Sequence, residues 1–537
     1  MSDTSNRLKK IFKQHSGILL FFPASLLTAF VYSNLNKYVF YFMVFITVLY
    51  CVNIFVNKYS FSLKFFNIFA AAFVIVIYAS ITFGHFYPRY IIQNKISTSS
   101  VSPGWDFYNA QTFAFKKFQT AMPVSPSEKL KKFANPYDRE NLNKELDYRK
   151  NDFVLDFSYY KEKYYIYFGV TPVLVAYLPF LIITGKFITD AAVVLIFSIF
   201  AFLGALIFLN RLLEDFKKNT DFVFNILKIL CLGMCCGCPF LISTPRVYEV
   251  AVICASFFGI LSYLFLFFYL KNKSKRIFLF FAGFFVALAV GARPFYVFAI
   301  LTQIFVFIDF KRIIRSGEVK KSLNLYAAYF IPILIYGSFL ALYNILRFDN
   351  PFEFGHKFGL FYGEPLKTPP EYLFEYIKVF LFFKPVFLQN FPYVSFDLAV
   401  IQKTLCEPYA GIVYLIPALF LLIFGVSYFR NKNVLADNKK IAASMLFFCA
   451  VIIIVISQIA FSLRYMADVA FYFIICFLVF SASLLDNLKG VKFYIMRFFV
   501  IFCMFASIVF SCAAFVSYSC QYGLNKQKSV EFFQKIV

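Results

Sequence analysis

Asp106 stands in Gly-Trp-Asp-Phe-Tyr-Asn, beside the chain's only tryptophan and about twenty residues after the third apolar run. A carboxylate held at a bilayer surface can accept the proton of an attacking hydroxyl, which is general-base chemistry. The same residue fits a helix cap or a solvated loop acid, and the sequence leaves both readings open. A second set of polar residues falls at the ends of later apolar runs. These are Arg246 and Glu249 in PRVYEVA, Arg293 in GARP, Arg347, Glu353 and His356 in LRFDNPFEFGHKF, and Arg464, Tyr465 and Asp468 in SLRYMAD. Arginines converging at one membrane face suit a lipid-linked phosphate or diphosphate, whose oxygens match the guanidinium fork. Headgroup anchoring accounts for them equally, as does pairing within the helix layer, for example Arg464 with Asp468 one turn on.

The elements that must position these residues are membrane helices. The chain has 537 residues, 61% hydrophobic and 15% charged, with a mean hydropathy of +0.72. A soluble chain carries about 25% charged residues. Apolar runs recur at 17–33, 38–56, 65–84, 188–210, 222–244, 249–270, 276–291, 294–309, 323–346, 409–429, 440–461, 467–486 and 493–518. Each is long enough, or nearly so, to cross about 30 Å of hydrocarbon. The run 277–309 would extend roughly 50 Å as one helix, so GARP breaks it into two legs with Arg293 at the turn. The reading is an all-α polytopic membrane protein of about thirteen spans, starting with an uncleaved basic-then-apolar anchor.

Orientation follows from charge. The net charge of +25 resides mainly in short clusters between apolar runs, which marks cytoplasmic loops rather than a nucleic-acid surface. The apolar segment 169–184 decides the topology. If it does not cross, 18 basic residues after position 187 fall on the cytoplasmic side, against Arg246, Arg293 and Arg464 opposite. If it crosses, those clusters face outward, against the positive-inside rule. It is therefore read as re-entrant or lying at the exterior interface, with the N-terminus inside and the C-terminus outside. Its polar lead-in, DFSYYKEKYYIYFG, then presents Asp156, Tyr159, Tyr160 and Lys163 at headgroup level.

Two exterior loops result, 85–187 and 347–408, both rich in Tyr and Phe and of a length that usually carries function. Residues 371–385 read as a second interfacial helix. The three histidines, His15, His85 and His356, form no HExxH, and there is no phosphate-binding glycine loop, GxSxG or dinucleotide fingerprint. An ATP-driven pump or a soluble-nucleotide enzyme is therefore disfavoured. The twelve cysteines lie mostly inside apolar runs, including CCGC at 235–238, and read as small packing residues. Cys406 and Cys520 fall in exterior segments where a bridge is conceivable.

In order along residues 65–520, the chain carries D-F-Y-N (Asp106 to Asn109), N-P-Y-D (Asn135 to Asp138), DFSYYKEKYYIYFGVTP (Asp156 to Pro172), Arg293-Pro294, RFDNPFEFG (Arg347 to Gly355) and RYMAD (Arg464 to Asp468). In this pattern it resembles GT-C polytopic glycosyltransferases, specifically a set of bacterial members. The resemblance implies a sugar moved from a polyprenyl-phosphate donor to an exterior acceptor at a bacterial cytoplasmic membrane. It makes Asp106 the general base, Asp156 a rival base and Glu249 a second acid. Tyr108, Asn109, Tyr159, Tyr160, Lys163, Arg246, Arg293, Arg347, Glu353, His356, Arg464, Tyr465 and Asp468 become substrate-binding candidates. Some members use a divalent metal, and the absence here of DxD or a paired Asp-Glu at Asp106 leaves that open. Residues 1–64 precede the core as a two-helix segment, and 521–537 follow as an exterior tail. A transporter or flippase of lipid-linked glycans, or a glycan polymerase or ligase of another membrane family, is the alternative.

Overall fold

The computed structural model describes residues 63–85, 92–93, 106–216, 222–308, 319–361, 370–392, 394–396, 407–459, 461–522 and 530. The expected spans 17–33 and 38–56 lie outside them, as do Trp105 and Cys406. The described residues form an all-α membrane protein whose sheet content is three two-stranded ribbons.

The helices that matter for the site are α1 (Leu63–His85), α2 (Phe107–Lys116), α3 (Leu178–Thr184), α4 (Asp190–Leu213), α5 (Phe222–Met234), α6 (Cys238–Ser243), α7 (Val247–Lys271), α8 (Arg276–Ala292), α9 (Val297–Phe307), α10 (Val319–Phe348), α11 (Leu373–Phe382), α12 (Ala436–Ser457), α13 (Ala467–Asn487) and α14 (Gly490–Tyr522). Seven described helices are long and apolar enough to cross a bilayer, and five shorter apolar helices accompany them. α7 is the central post. It packs against α4, α8, α9, α12 and α13, and it is apolar nearly all round, as a helix buried in a bundle must be.

Charge separates to the two ends of this post. Glu249 sits in its first turn and Lys271 in its last, about 33 Å apart along the axis at 1.5 Å per residue. Around Lys271 gather Asp215, at 3.5 Å, and the Lys273–Asp437 pair, at 3.0 Å. Around Glu249 gather the candidate residues. This is the site end of the bundle.

Two expected spans are interrupted. Residues 222–244 divide into α5 and α6 because Gly237, at φ 88°, turns the chain beside α13, where a Cβ would come 3.0 Å from the Ala467 nitrogen. Residues 409–429 become Ile412–Leu415, a 3-10 stretch Pro417–Phe424 and Gly425–Arg430, since Pro417 has no N–H to continue the ladder. The run 277–309 divides at Arg293, which is extended with φ −143° between α8 and the turn leading into α9.

The segment 169–184 returns to the end where it starts. Its helical part, Val173–Thr184, has 12 residues and spans about 18 Å, well short of the hydrocarbon core. Gly169 rests on the backbone of Gly291 and Ala292. The chain then leaves α3 through Gly185, at φ 70°, and enters α4 at Asp190. Ile182 and Ile183 face outward, 70% and 82% exposed, as an apolar face turned to lipid would be. α11 is a similar surface helix, burying Tyr376 and Phe380 and exposing Phe374 and Phe382.

Candidate active site

Asp106 precedes α2 with φ 56°, in the left-handed region that aspartate tolerates better than most residues. Its backbone carbonyl accepts the first helical bond, from Ala110 at 2.8 Å. Its side chain makes no capping bond, so the carboxylate is not consumed as a helix cap. Asn109, one turn on, fixes this geometry. Its Nδ2 lies 3.5 Å from Asp106 Oδ1 and donates to the Ile188 carbonyl at 2.9 Å. The base candidate is thereby tied to the chain entering α4.

That entry brings a further carboxylate. Thr189 caps α4 through its hydroxyl, and Asp190 follows in the first turn, where the helix dipole favours a negative charge. Asp190 is buried, receives the Tyr177 hydroxyl on Oδ1, and lies within Coulombic range of both Asp106 and Glu249. Tyr108 is fully buried and within the same range of Asp190 and Arg293. Elements distant in sequence, α2, α3, α4 and α7, thus bring Asp106, Asp190 and Glu249 together.

Beside the carboxylates lie two guanidinium groups. Arg464 is mostly buried, with its side chain 15% exposed. Its guanidinium carbon lies over the ring of Tyr248 at 4.7 Å and that of Tyr465 at 5.4 Å, Nη1 is 3.5 Å from Glu249, and Nη2 is 2.9 Å from Glu407. Glu249 also accepts the Arg246 backbone N–H at 3.1 Å, so one acid starts α7 and holds Arg464. Arg293 reaches Asp468 at 3.2 Å and stacks on Phe295 and Tyr465. The pairing expected one turn apart, Arg464 with Asp468, is therefore not the one formed. Each arginine takes its acid from another element, because that is how the ends of α7, α9 and α13 converge.

Asp156 closes the site from the polar side. It adopts φ 63°, accepts the Tyr248 hydroxyl, and is within range of Arg464. Burial pushes its carboxyl up, against the opposing pull of the Tyr248 hydrogen bond and of Arg464. Backbone bonds from Asp156 N–H to the Leu360 carbonyl, at 2.9 Å, and from Leu360 N–H to the Phe157 carbonyl, at 2.8 Å, zip the DFSYY and RFDNPFEFG segments together.

The remaining expected residues are placed in that zipped scaffold. The hairpin 158–165 carries Tyr159, whose carbonyl accepts the Tyr137 hydroxyl, Tyr160, whose hydroxyl donates to Asp349 at 2.9 Å, and Lys163, which is exposed. Arg347 is buried, donating to the Ile166 carbonyl and to Asn344, each at 2.6 Å, with its plane over Tyr343. Glu353 accepts the Gly355 N–H at 2.7 Å. His356 packs on Tyr167 and Phe361, and burial lowers its pKa. Tyr167 is the link inward, within Coulombic range of Asp156, Tyr248, Tyr465 and Arg464. So Asp106, Tyr108, Asn109, Asp156, Arg246, Glu249, Arg293, Arg464, Tyr465 and Asp468 converge, while Tyr159, Tyr160, Lys163, Arg347, Glu353 and His356 lie in the segments around them.

Sequence reasoning did not single out Asp190, Tyr177, Tyr248 or Glu407. The signal for Asp190 was the Thr-Asp pair opening an apolar run, a capped helix start with an acid in its first turn. No group of three or more His, Cys, Asp or Glu among the described residues is arranged to hold a metal ion. The four cysteines of 231–238 lie buried beside Tyr78.

No protein-family model matches the chain, and no curated protein matches it in sequence. Among solved structures, the crystal structure of the Archaeoglobus fulgidus oligosaccharyltransferase in the apo form is similar at TM-score 0.47 and 9% identity, over 88% of this chain. This chain spans 60% of the length of that one. A likeness of that degree carries no argument about activity.

Proposed function

We propose that this protein is a membrane glycosyltransferase of GT-C type. It transfers a sugar from a polyprenyl-phosphate donor to an acceptor on the exterior face of a bacterial cytoplasmic membrane. Asp106 takes the proton of the acceptor hydroxyl as that oxygen attacks the anomeric carbon, and the lipid phosphate leaves from the opposite face, so the configuration inverts. Asp190 and Glu249 shape the charge around the base, and Arg293 and Arg464 face the leaving phosphate.

The observation that carries this reading is a set of buried polar atoms at the site end that make no hydrogen bond within the protein. They are the Tyr108 hydroxyl, Asn109 Oδ1, Asp190 Oδ2, Arg246 Nε, Arg293 Nε and Asp468 Oδ1. Each such atom costs folding about 1–3 kcal/mol. Acceptors and cationic donors left in this state, side by side, fit a substrate with both hydroxyls and an anion. A transport path would instead line the middle of the bundle with charge. Here the ionisable residues of the long spans stand near their ends, Asp190 and Arg211 on α4 and Glu249 and Lys271 on α7 among them.

The test is the full-length chain in liposomes, supplied with polyprenyl-phosphate monosaccharides and an extract of envelope acceptors. Release of polyprenyl phosphate with formation of an inverted glycoside supports the proposal. Movement of intact donor between leaflets with no release of the lipid phosphate overturns it in favour of transport.

A further inference from the structure

The guanidinium of Arg464 already holds two carboxylates and two aromatic rings, and one of these partners differs in kind from the rest. Tyr248, Tyr465 and Glu249 belong to helix starts packed in the bundle, and the Glu249 side chain is 3% exposed. Glu407 comes from the segment leading into the span at Ile412 and its side chain is 46% exposed, yet it makes the shorter contact, 2.9 Å against 3.5 Å. Its other oxygen accepts the Ser462 hydroxyl, and its backbone N–H donates to the Phe461 carbonyl at 3.2 Å. Resting on the proposed function, we infer that Glu407 occupies the seat on Arg464 that a substrate's phosphate takes, so that binding exchanges one oxyanion for another.

The two carboxylates on Arg464 are not equal in what their loss would do. Withdrawing Glu249 would leave a buried cation short of its buried counter-charge, which is strongly destabilising. Withdrawing Glu407 breaks a half-exposed ion pair whose net worth is small, because water already screens it. A phosphate monoester, the form in which the lipid leaves and the form of farnesyl phosphate, brings more charge and more acceptor oxygens to the same Nη2 edge than a carboxylate does, whereas the phosphodiester of the intact donor carries a single negative charge. Departure of Glu407 also removes one anion from the neighbourhood of Asp156 and Glu249, both of which lie within its Coulombic range. The exchange therefore favours the incoming phosphate while the buried half of the cage stays intact. It also accounts for an arginine at the proposed substrate face that already carries two carboxylates.

The probes are farnesyl phosphate and inorganic phosphate, titrated by calorimetry into the full chain in nanodiscs. Glu407→Gln is expected to bind farnesyl phosphate about two- to fivefold tighter than the wild type, since a weak competing ion pair is no longer broken on binding. Glu407→Asp should fall between them, and Arg464→Gln should bind less tightly than the wild type. Glu128→Gln, which removes an exposed acid paired with Lys131, controls for bulk charge and should change nothing. Tightening confined to farnesyl phosphate assigns the seat to a lipid-linked phosphate; equal tightening for inorganic phosphate assigns it to the phosphate alone, and both support the exchange. Unchanged or weaker binding in Glu407→Gln, or an equal gain in Glu128→Gln, overturns it. Tightening in a protein that transfers no sugar leaves the exchange standing and removes the glycosyltransferase reading, whereas sugar transfer without tightening does the reverse.

Discussion

Gly169 lies directly on the backbone that precedes Arg293: a Cβ at Gly169 would stand 2.2 Å from the Gly291 carbonyl oxygen and 2.3 Å from that of Ala292. Gly291 in turn leaves room for Thr171 and Tyr336, whose hydroxyls are 2.6 Å apart. The segment 169–184 and the turn at Arg293 are thus joined by a backbone contact. Gly169→Ala should force them apart at a cost of about 1–3 kcal/mol, seen as a lower melting temperature together with weaker farnesyl phosphate binding. Gly185→Ala, with open space around it at φ 70°, should show only the strain of its backbone, about 1 kcal/mol, and keep phosphate affinity. Equal losses in the two variants would count against a positioning role for Gly169.

Asp190 should be needed for transfer although it is remote in sequence from Asp106. Asp190→Asn keeps the shape and the Tyr177 contact but removes the charge beside the base candidate. A fall of at least about tenfold in kcat is expected, corresponding to roughly 1.4 kcal/mol of transition-state stabilisation. Tyr177→Phe, which removes only the hydroxyl that orients Asp190, should have the smaller effect. The reverse ranking would place the importance in Tyr177.

Burial of Asp156 has a sign that can be measured. Its folded pKa is raised, so the native state binds more protons than the unfolded chain between the two pKa values, and stability declines as pH rises through that window. Asp156→Asn lacks this titration while leaving Tyr248 an oxygen to donate to. The stability of the variant relative to the wild type should therefore increase as pH rises from about 4, near the unfolded carboxyl pKa, through the raised folded pKa. A relative stability that decreases over the same range would show that the charged form is the favoured one.

Arg347 should matter as a scaffold. Its two bonds, to the Ile166 carbonyl and the Asn344 side chain, use different nitrogens of one planar group, which a lysine ammonium cannot reproduce in that geometry. Arg347→Lys should destabilise the protein by about 1–3 kcal/mol, the usual effect of an unsatisfied buried acceptor. Farnesyl phosphate affinity in the folded fraction should stay close to that of the wild type. A selective loss of phosphate binding with normal stability would move Arg347 into the substrate site.

The helices were legible because membrane burial leaves a strong mark on composition, and charge counting placed Glu249, Arg293 and Arg464 at one face before any contact was known. Interruptions were less visible. Gly237 and Pro417 break apolar runs whose hydropathy does not change. Pairing was least visible of all. Arg464 has an acid one turn ahead of it on its own chain, yet it binds Glu249 and Glu407, because partner choice depends on how helix ends meet. Asp190 was hidden for a related reason: it opens a long apolar helix and gains its meaning only from Asn109, which holds the α2 start against Ile188. Arg347 donates to the Ile166 carbonyl and to Asn344, and His356 packs on Tyr167 and Phe361, contacts that the sequence does not display, since a buried guanidinium can serve backbone carbonyls as readily as phosphate.

The most direct test of the account is single-turnover sugar transfer by Asp106→Asn in nanodiscs, with folding and farnesyl phosphate affinity checked on the same sample. Removing a general base should slow the chemical step by about 10²–10⁴-fold while donor affinity holds. Transfer within about twofold of the wild type, well inside the range a lost base cannot explain, would contradict the role given to Asp106 and with it the mechanism.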